Sequence, residues 1–85
     1  RPAKIVSIHD PLRVNNYDGP GEALARAMTG ENGYPVADSI GYPTPGSFGT
    51  WAGVERQIPT VTLEVERGRA GVEKNLRALE AAVRF

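Results

Sequence analysis

The segment that most constrains the fold is the last one, because it predicts an amphipathic helix that cannot bury its own apolar face. From residue 72 onward, apolar side chains recur at helical spacing and charged side chains lie largely opposite. The apolar members are Val72, Leu76, Leu79, Ala82 and Val83. The charged members are Glu73, Lys74, Arg77, Glu80 and Arg84. We therefore expect a sheet elsewhere in the chain on which this apolar face docks.

Three short runs rich in β-branched residues predict the strands of that sheet. They cover residues 3–8, 36–40 and 60–65, and the second is the least regular because it contains polar residues. The third alternates threonine with apolar residues. His9 follows the first run directly, and Glu64 lies near the end of the third. Both residues are therefore predicted at the carboxyl ends of strands.

Helices are predicted between the strands. Helical spacing from Glu22 predicts a helix that ends near Thr29, and residues 48–56 predict a weaker one with Ser47 as its N-cap. Residues 10–21 are rich in proline, glycine and asparagine and predict a long loop. The repeated order of strand and helix predicts a three-layer α/β/α unit with a mainly parallel sheet. In such sheets, ligands bind beyond the carboxyl ends of the strands.

Composition excludes several classes of protein. The 85 residues carry 10 basic and 10 acidic side chains, and no lysine or arginine run forms a footprint for nucleic acid or an anionic membrane. No apolar stretch approaches the roughly 20 residues of a transmembrane helix. The absence of cysteine excludes disulfides, thiolate nucleophiles and cysteine-type zinc sites. We expect a soluble chain that binds neither nucleic acid nor membrane, and its compartment stays open.

His9 and Glu64 are the residues of this sequence best suited to metal binding or catalysis. His9 can ligate zinc, although a lone histidine cannot complete a zinc site, and a hydrogen-bonded structural histidine is the alternative. Glu64 can act as a general base toward water, or it can be a surface glutamate that pairs with Arg67 or Arg69. The residues alone leave both alternatives open.

The loop before the weaker helix carries two further candidates. Tyr42, framed by proline and glycine, can donate a hydrogen bond to a substrate, or it can simply pack. Ser47 is interpreted as a helix cap and pocket wall, because the glycine spacing of a nucleophile elbow is missing. Neither of the usual glycine-rich phosphate loops is present.

Three segments carry a resemblance to a known family. They read IHDPL at 8–12, GYPTPGSFGTW at 41–51 and VTLE at 61–64. Together they resemble the C-terminal half of the zinc carboxypeptidase superfamily, and most closely its murein tripeptide amidases, which cleave γ-D-glutamyl-diaminopimelate bonds. The middle segment is long and specific, and the short segments gain weight from their order and spacing.

The resemblance implies that residues 1–85 are the C-terminal part of a zinc-carboxypeptidase-like catalytic domain. By position, His9 matches the third zinc ligand. Glu64 matches the glutamate that activates the zinc-bound water and relays its proton to the leaving amine. Ser47 and Phe48 match the segment that lines the pocket for the residue on the leaving side of the scissile bond.

Two further substrate-binding residues follow from the same resemblance. Tyr42 lies near the family's substrate-binding tyrosine, slightly offset from it. Asp10 follows the zinc ligand as in the amidase branch, and we expect it to orient His9 or to meet a substrate ammonium group.

The family's first two zinc ligands come from a His-x-x-Glu motif in the N-terminal half, and this sequence has no such motif. We therefore expect a fragment of a zinc metallopeptidase that is inactive by itself, whose parent hydrolyses a peptide or muropeptide in a bacterial cytoplasm or envelope. Exposed sheet edges of such a fragment predict a homodimer. The alternative is a non-catalytic binding or assembly module that retains the half-fold.

Overall fold

The computed structural model of the chain describes residues 3–9, 12–38, 50–66, 68–69 and 71–85. Within these ranges the strands are β1 (Ile5–His9), β2 (Val14–Asp18), β3 (Val36–Asp38) and β4 (Thr60–Glu64). The α-helices are α1 (Glu22–Asn32) and α2 (Val72–Arg84), and shorter helical segments cover Gly19–Gly21 and Thr50–Glu55. None of the helices in the described ranges has the length and apolar character that crossing a membrane requires.

The four described strands form one mixed sheet in the order β1-β4-β2-β3. β1 is parallel to β4 and β2 is parallel to β3, whereas β2 and β4 are antiparallel. The predicted α/β class is confirmed, and the sheet consists of two parallel pairs that run in opposite directions. The carboxyl ends of β1 and β4 therefore lie at one edge of the sheet, beside the start of β2.

Strand β2 shows that the loop predicted for residues 10–21 is wrong over residues 14–18. Its asparagines and aspartate are residue types that strands usually avoid. In the structure, however, Asn15 is fully buried, and its side-chain amide donates to Thr29 Oγ1 (2.9 Å) and to Asn32 Oδ1 (3.0 Å). These bonds to α1 remove the cost of burying the amide, so a tertiary contact overrides the local preference.

Helix α1 also extends about one turn beyond its predicted end near Thr29. Gly30 lies inside the helix, which continues to Asn32. Gly33 follows with a φ of 72°, and its N–H donates to the carbonyl of Thr29 at 2.9 Å. Glycine adopts this left-handed conformation without steric cost, so Gly33 rather than Gly30 terminates the helix.

Both α-helices pack on one face of the sheet around a shared core. The core residues are at most 4% exposed and are Leu24, Ala25, Met28, Tyr34, Val61, Leu63, Ala78 and Ala82. Because side chains alternate along a strand, Val61 and Leu63 point to this face and Thr60, Thr62 and Glu64 point to the other. The strand alternation predicted for residues 60–65 is confirmed and assigns Glu64 to the face away from the two helices.

The opposite face is covered in part by the Thr50–Glu55 segment. Gly53 of this segment lies against Asp18 so closely that a Cβ atom on it would overlap the aspartate. Thr60 on the same face is fully buried. In the described residues, both faces of the sheet are therefore covered by helical segments, as the predicted three layers require. The two long helices lie together on one face, and the Thr50–Glu55 segment lies on the other.

Helix α2 confirms the predicted C-terminal helix but docks only part of its apolar pattern. Its buried residues are Asn75, Ala78 and Ala82. Leu76 and Val83 are 56% and 78% exposed, although both belong to the predicted docking face. Leu76 and Ile8 of the outer strand β1 border a groove of about 190 Å³. Much of the predicted docking face is thus open in the described part of the chain.

Candidate active site at the His9–Glu64 edge

His9 and Glu64, the two strand-end residues predicted from sequence, are brought together by the pairing of β1 with β4. They are direct partners in the parallel register. The next backbone amide, that of Val65, donates to the carbonyl of His9 at 2.7 Å. Paired residues on adjacent strands point to the same face, and the strands are about 4.8 Å apart. The two side chains therefore start side by side on the face away from α1 and α2.

The Glu64 carboxylate is buried and incompletely bonded. The residue is 8% exposed, and its Oε1 has no hydrogen-bond partner among the residues that the structure describes. The alternative of a salt-bridged surface glutamate does not fit this burial, and no ion pair joins Glu64 to Arg69 in the described ranges. Arg67, the other predicted partner, lies outside the described residues. A buried acceptor without a partner is costly for the fold and is suited to a proton or ligand that arrives from outside.

His9 is exposed at the end of the outer strand. No hydrogen bond to its ring is present among the described residues, so the alternative of a hydrogen-bonded structural histidine has no support in those ranges. A neutral imidazole nitrogen in this setting is a competent metal ligand. The placement of His9 therefore fits a ligand to a metal that sits next to Glu64.

A complete zinc site is not present in the described residues. No group of three or more histidine, cysteine, aspartate or glutamate side chains there could hold a metal ion. Zinc in catalytic sites takes three protein ligands and keeps one open position. The residues of the described ranges fit one ligand and a neighbouring carboxylate, so a zinc site that includes His9 would require further ligands from outside these ranges.

A polar strip that the sequence reading missed lies on the same face, two residues before the His9–Glu64 pair. Thr62 of β4 is in register with Ser7 of β1 and with Asn16 of β2. Ser7 Oγ and Thr62 Oγ1 are 3.5 Å apart, and Asn16 is 6% exposed. The threonine alternation of β4 was the available signal, whereas Asn16 was hidden by the loop prediction. Hydroxyl and amide groups in this place are suited to contact polar parts of a ligand.

Glu66, two residues after Glu64, has side-chain partners of the kind that Glu64 Oε1 lacks among the described residues. Its Oε1 accepts a hydrogen bond from Tyr34 Oη (2.9 Å) and forms an ion pair with Lys74 Nζ (3.1 Å). The bond from Lys74, with that from Tyr34, holds the pKa of the Glu66 carboxyl below its ordinary value. Glu66 is thus an ionised side chain that pairs with Lys74 and Tyr34 on the helix side of the sheet.

The remaining predicted site residues cannot be placed. Asp10, Tyr42, Ser47 and Phe48 lie outside the described residues. Their roles stay predictions, and so does the division of the chain into a C-terminal part of a larger domain.

The fold and the site define a small α/β unit with a histidine and a buried glutamate at the carboxyl edge of two parallel strands. This chain is 40% identical over 84 residues to murein peptide amidase A of Vibrio campbellii, a match that covers 95% of this chain. It is 44% identical over 54 residues to murein peptide amidase A of Escherichia coli K12, which covers 60% of this chain. The resemblance predicted from the three sequence segments is confirmed, and the chain is related to murein peptide amidases.

The relationship concerns only part of these proteins. The matches cover 33% of the Vibrio protein and 21% of the Escherichia coli protein. The chain therefore spans at most about a third of the length of these two relatives. No family model matches the chain.

Proposed function

We propose that the protein containing this chain is a zinc-dependent metallopeptidase of the amidase or carboxypeptidase type, which hydrolyses a peptide bond or the γ-D-glutamyl-diaminopimelate bond of a murein peptide. The relationship to murein peptide amidases over 84 residues supports the substrate class. The position of His9 beside Glu64, at the edge where ligands bind such sheets, supports the kind of site.

One observation carries the proposal, namely the buried Oε1 of Glu64, which has no hydrogen-bond partner within the described part of the chain. A carboxylate oxygen in this state can accept a proton from an attacking water molecule without first breaking a bond within the protein. The same carboxylic acid then donates that proton to the leaving amine. Glu64 therefore acts first as general base and then as general acid, and the strand pairing beneath it keeps its backbone fixed.

His9 would hold zinc with one ring nitrogen, together with ligands from outside the described residues. When bound, zinc supplies Lewis-acid polarisation of the scissile carbonyl and increases the acidity of the attacking water. Asp10, Tyr42, Ser47 and Phe48 are proposed to contact the substrate, on the strength of the segments that carry the resemblance. Because the 85 residues contain no His-x-x-Glu motif, we propose that this chain alone neither retains zinc nor turns over substrate.

The test is Glu64→Gln in the full-length protein that contains this chain. Glutamine keeps the shape of the side chain but cannot accept the proton, so turnover should fall by about 100- to 10,000-fold while zinc content stays near stoichiometric. The matched control is Glu73→Gln on α2, whose side chain is 91% exposed. Full activity of the Glu64 variant would remove Glu64 from the mechanism.

A non-catalytic binding or assembly module is the second candidate. The observation that favours it is the absence of a three-residue metal cluster from the described ranges. In that case the full-length protein would bind murein peptides without hydrolysing them, and Glu64→Gln would change affinity instead of turnover. Calorimetric binding and turnover measured on one protein sample distinguish the two functions.

A further inference from the structure

The backbone that follows Glu64 is held from two sides. Val65 N–H donates to the carbonyl of His9 (2.7 Å), and Glu66 N–H donates to the hydroxyl of Tyr34 (3.3 Å). Tyr34 lies between α1 and β3 and is 4% exposed. The two amides directly after Glu64 are therefore fixed, one by strand β1 and the other by a buried phenol.

The Tyr34 hydroxyl uses its full hydrogen-bonding capacity at this point. It donates to Glu66 Oε1 (2.9 Å), and it accepts hydrogen bonds from Glu66 N–H and from Asn75 Nδ2 (3.0 Å). A phenol has one hydrogen to donate and can accept further hydrogen bonds at its oxygen. Because a shift of the ring would break several bonds at once, this hydroxyl fixes Glu66 relative to helix α2.

The same polar cluster also reaches the backbone before Glu64. Asn32 Nδ2 donates to Asn75 Oδ1 and to Asn15 Oδ1, both at 3.1 Å. Asn15 is the register partner of Leu63, the residue that precedes Glu64. Leu63 is thus held through β2 and Glu66 through Tyr34, and both connections belong to one buried cluster on the helix side of the sheet.

Glu64 itself points to the other side, and its buried Oε1 receives no hydrogen bond from any described residue that could orient it. We infer that Tyr34 is a positioning residue, which orients the Glu64 carboxylate by fixing the backbone that follows it. The inference rests on the function proposed above, in which Glu64 must lie within hydrogen-bond reach of the proton that it accepts. A misplacement of about 1 Å can cost about 100-fold in rate.

Tyr34→Phe in the full-length protein removes the hydroxyl and keeps the ring. We expect kcat to fall by about 10- to 100-fold with KM within about twofold of the original value, because the substrate contacts are not changed. Tyr17→Phe is the matched control, since Tyr17 is half-buried, lies on the same face of the sheet and packs against the same core. An unchanged kcat for Tyr34→Phe, in an enzyme that Glu64→Gln inactivates, overturns the positioning role and leaves the proposed function intact.

NMR of the full-length protein with labelled glutamate provides a readout that does not require turnover. In the original protein we expect slow exchange of the Glu66 amide and a single χ1 rotamer for Glu64. In Tyr34→Phe we expect averaging of the Glu64 rotamer. Fast exchange of the Glu66 amide in the original protein, or an unaltered Glu64 rotamer in a folded Tyr34→Phe variant, contradicts the inference. If the original protein hydrolyses no peptide, the proposed function fails, and these NMR results still decide the role of Tyr34.

Discussion

Glu64 and Glu66 are the same residue type two positions apart, and the fold places them in opposite environments. Glu64 is 8% exposed and has a buried oxygen without a partner in the described ranges, whereas Glu66 is bonded to Tyr34 and Lys74. The partners of Glu66 belong to α2 and to the connection before β3, so its bonds join separate elements. Glu66 therefore joins parts of the fold, whereas Glu64, two positions earlier, is the glutamate for which we propose a chemical role.

The largest structural effect is expected at the centre of the polar cluster that supports Glu66. Asn32→Ala removes the amide that bonds to both Asn15 and Asn75. Because each buried polar group that loses its partner costs about 1–3 kcal/mol, we expect the free energy of unfolding to fall by about 3 kcal/mol. Chemical denaturation measures this change. A loss below about 0.5 kcal/mol, typical of a surface substitution, would show that the cluster does not stabilise the fold.

The comparison of the two glutamates predicts opposite effects of the same substitution on stability. Glu64→Gln replaces a buried carboxylate whose Oε1 has no partner among the described residues, so the free energy of unfolding should stay constant or rise by about 1 kcal/mol. Glu66→Gln removes the charge that pairs with Lys74, so unfolding should become easier. Thermal unfolding of the two variants in parallel checks this prediction. Destabilisation by Glu64→Gln that exceeds that by Glu66→Gln would reverse the assignment of roles.

Glu66 also predicts a dependence of stability on pH. Its pKa in the folded chain lies below the ordinary value of 4.5, chiefly because of the hydrogen bond from Lys74 and then that from Tyr34. Because the pKa is lower in the folded chain, Glu66 contributes fully to the free energy of unfolding above pH 4.5. This contribution is lost as the pH falls through the folded-state pKa. Urea denaturation of the original chain and of Glu66→Gln should give curves that converge in acid. A difference that stays constant between pH 6 and pH 3 would contradict this account.

The smallest effect is expected for a surface substitution that weakens self-association of the chain. The homodimer predicted from exposed sheet edges stays a prediction, and the structure adds that Ile8 (57% exposed) and Leu76 (56% exposed) are open beside β1 in the described part. Sedimentation of the 85-residue chain should show concentration-dependent dimers that Leu76→Lys weakens. The control is Glu73→Lys, which places the same side chain at an exposed site on the same helix. A monomer at every concentration would contradict the prediction.

Local sequence pattern was sufficient for much of the sheet and for the placement of His9 and Glu64 at strand ends. The alternation of β4 assigned Val61 and Leu63 to the core, and the strand-end positions of His9 and Glu64 placed them at one edge. The two-residue period of a strand can be recognised in a short stretch of sequence. The parallel pairing of β1 with β4 was expected from the repeated order of strands and helices along the chain.

Strand β2 and the polar cluster could not be predicted in this way. Their polar side chains are stabilised by partners distant in the chain. Asn15 bonds to Asn32, 17 positions away, and Tyr34 bonds to Glu66, 32 positions away. Local preference disfavours asparagine in a strand, and only the folded arrangement supplies the compensating bonds. The burial of Glu64 likewise depends on the whole sheet and not on its neighbours in sequence.

The most direct test of the central claim compares this 85-residue chain with the longer protein of which we propose it is a part. Zinc content and hydrolysis of a γ-D-glutamyl-diaminopimelate tripeptide are measured on both. We predict near-stoichiometric zinc and turnover in the full-length protein, and neither in the 85-residue chain, because His9 supplies only one ligand. The absence of both zinc and turnover from the full-length protein would contradict the account and would leave a binding module.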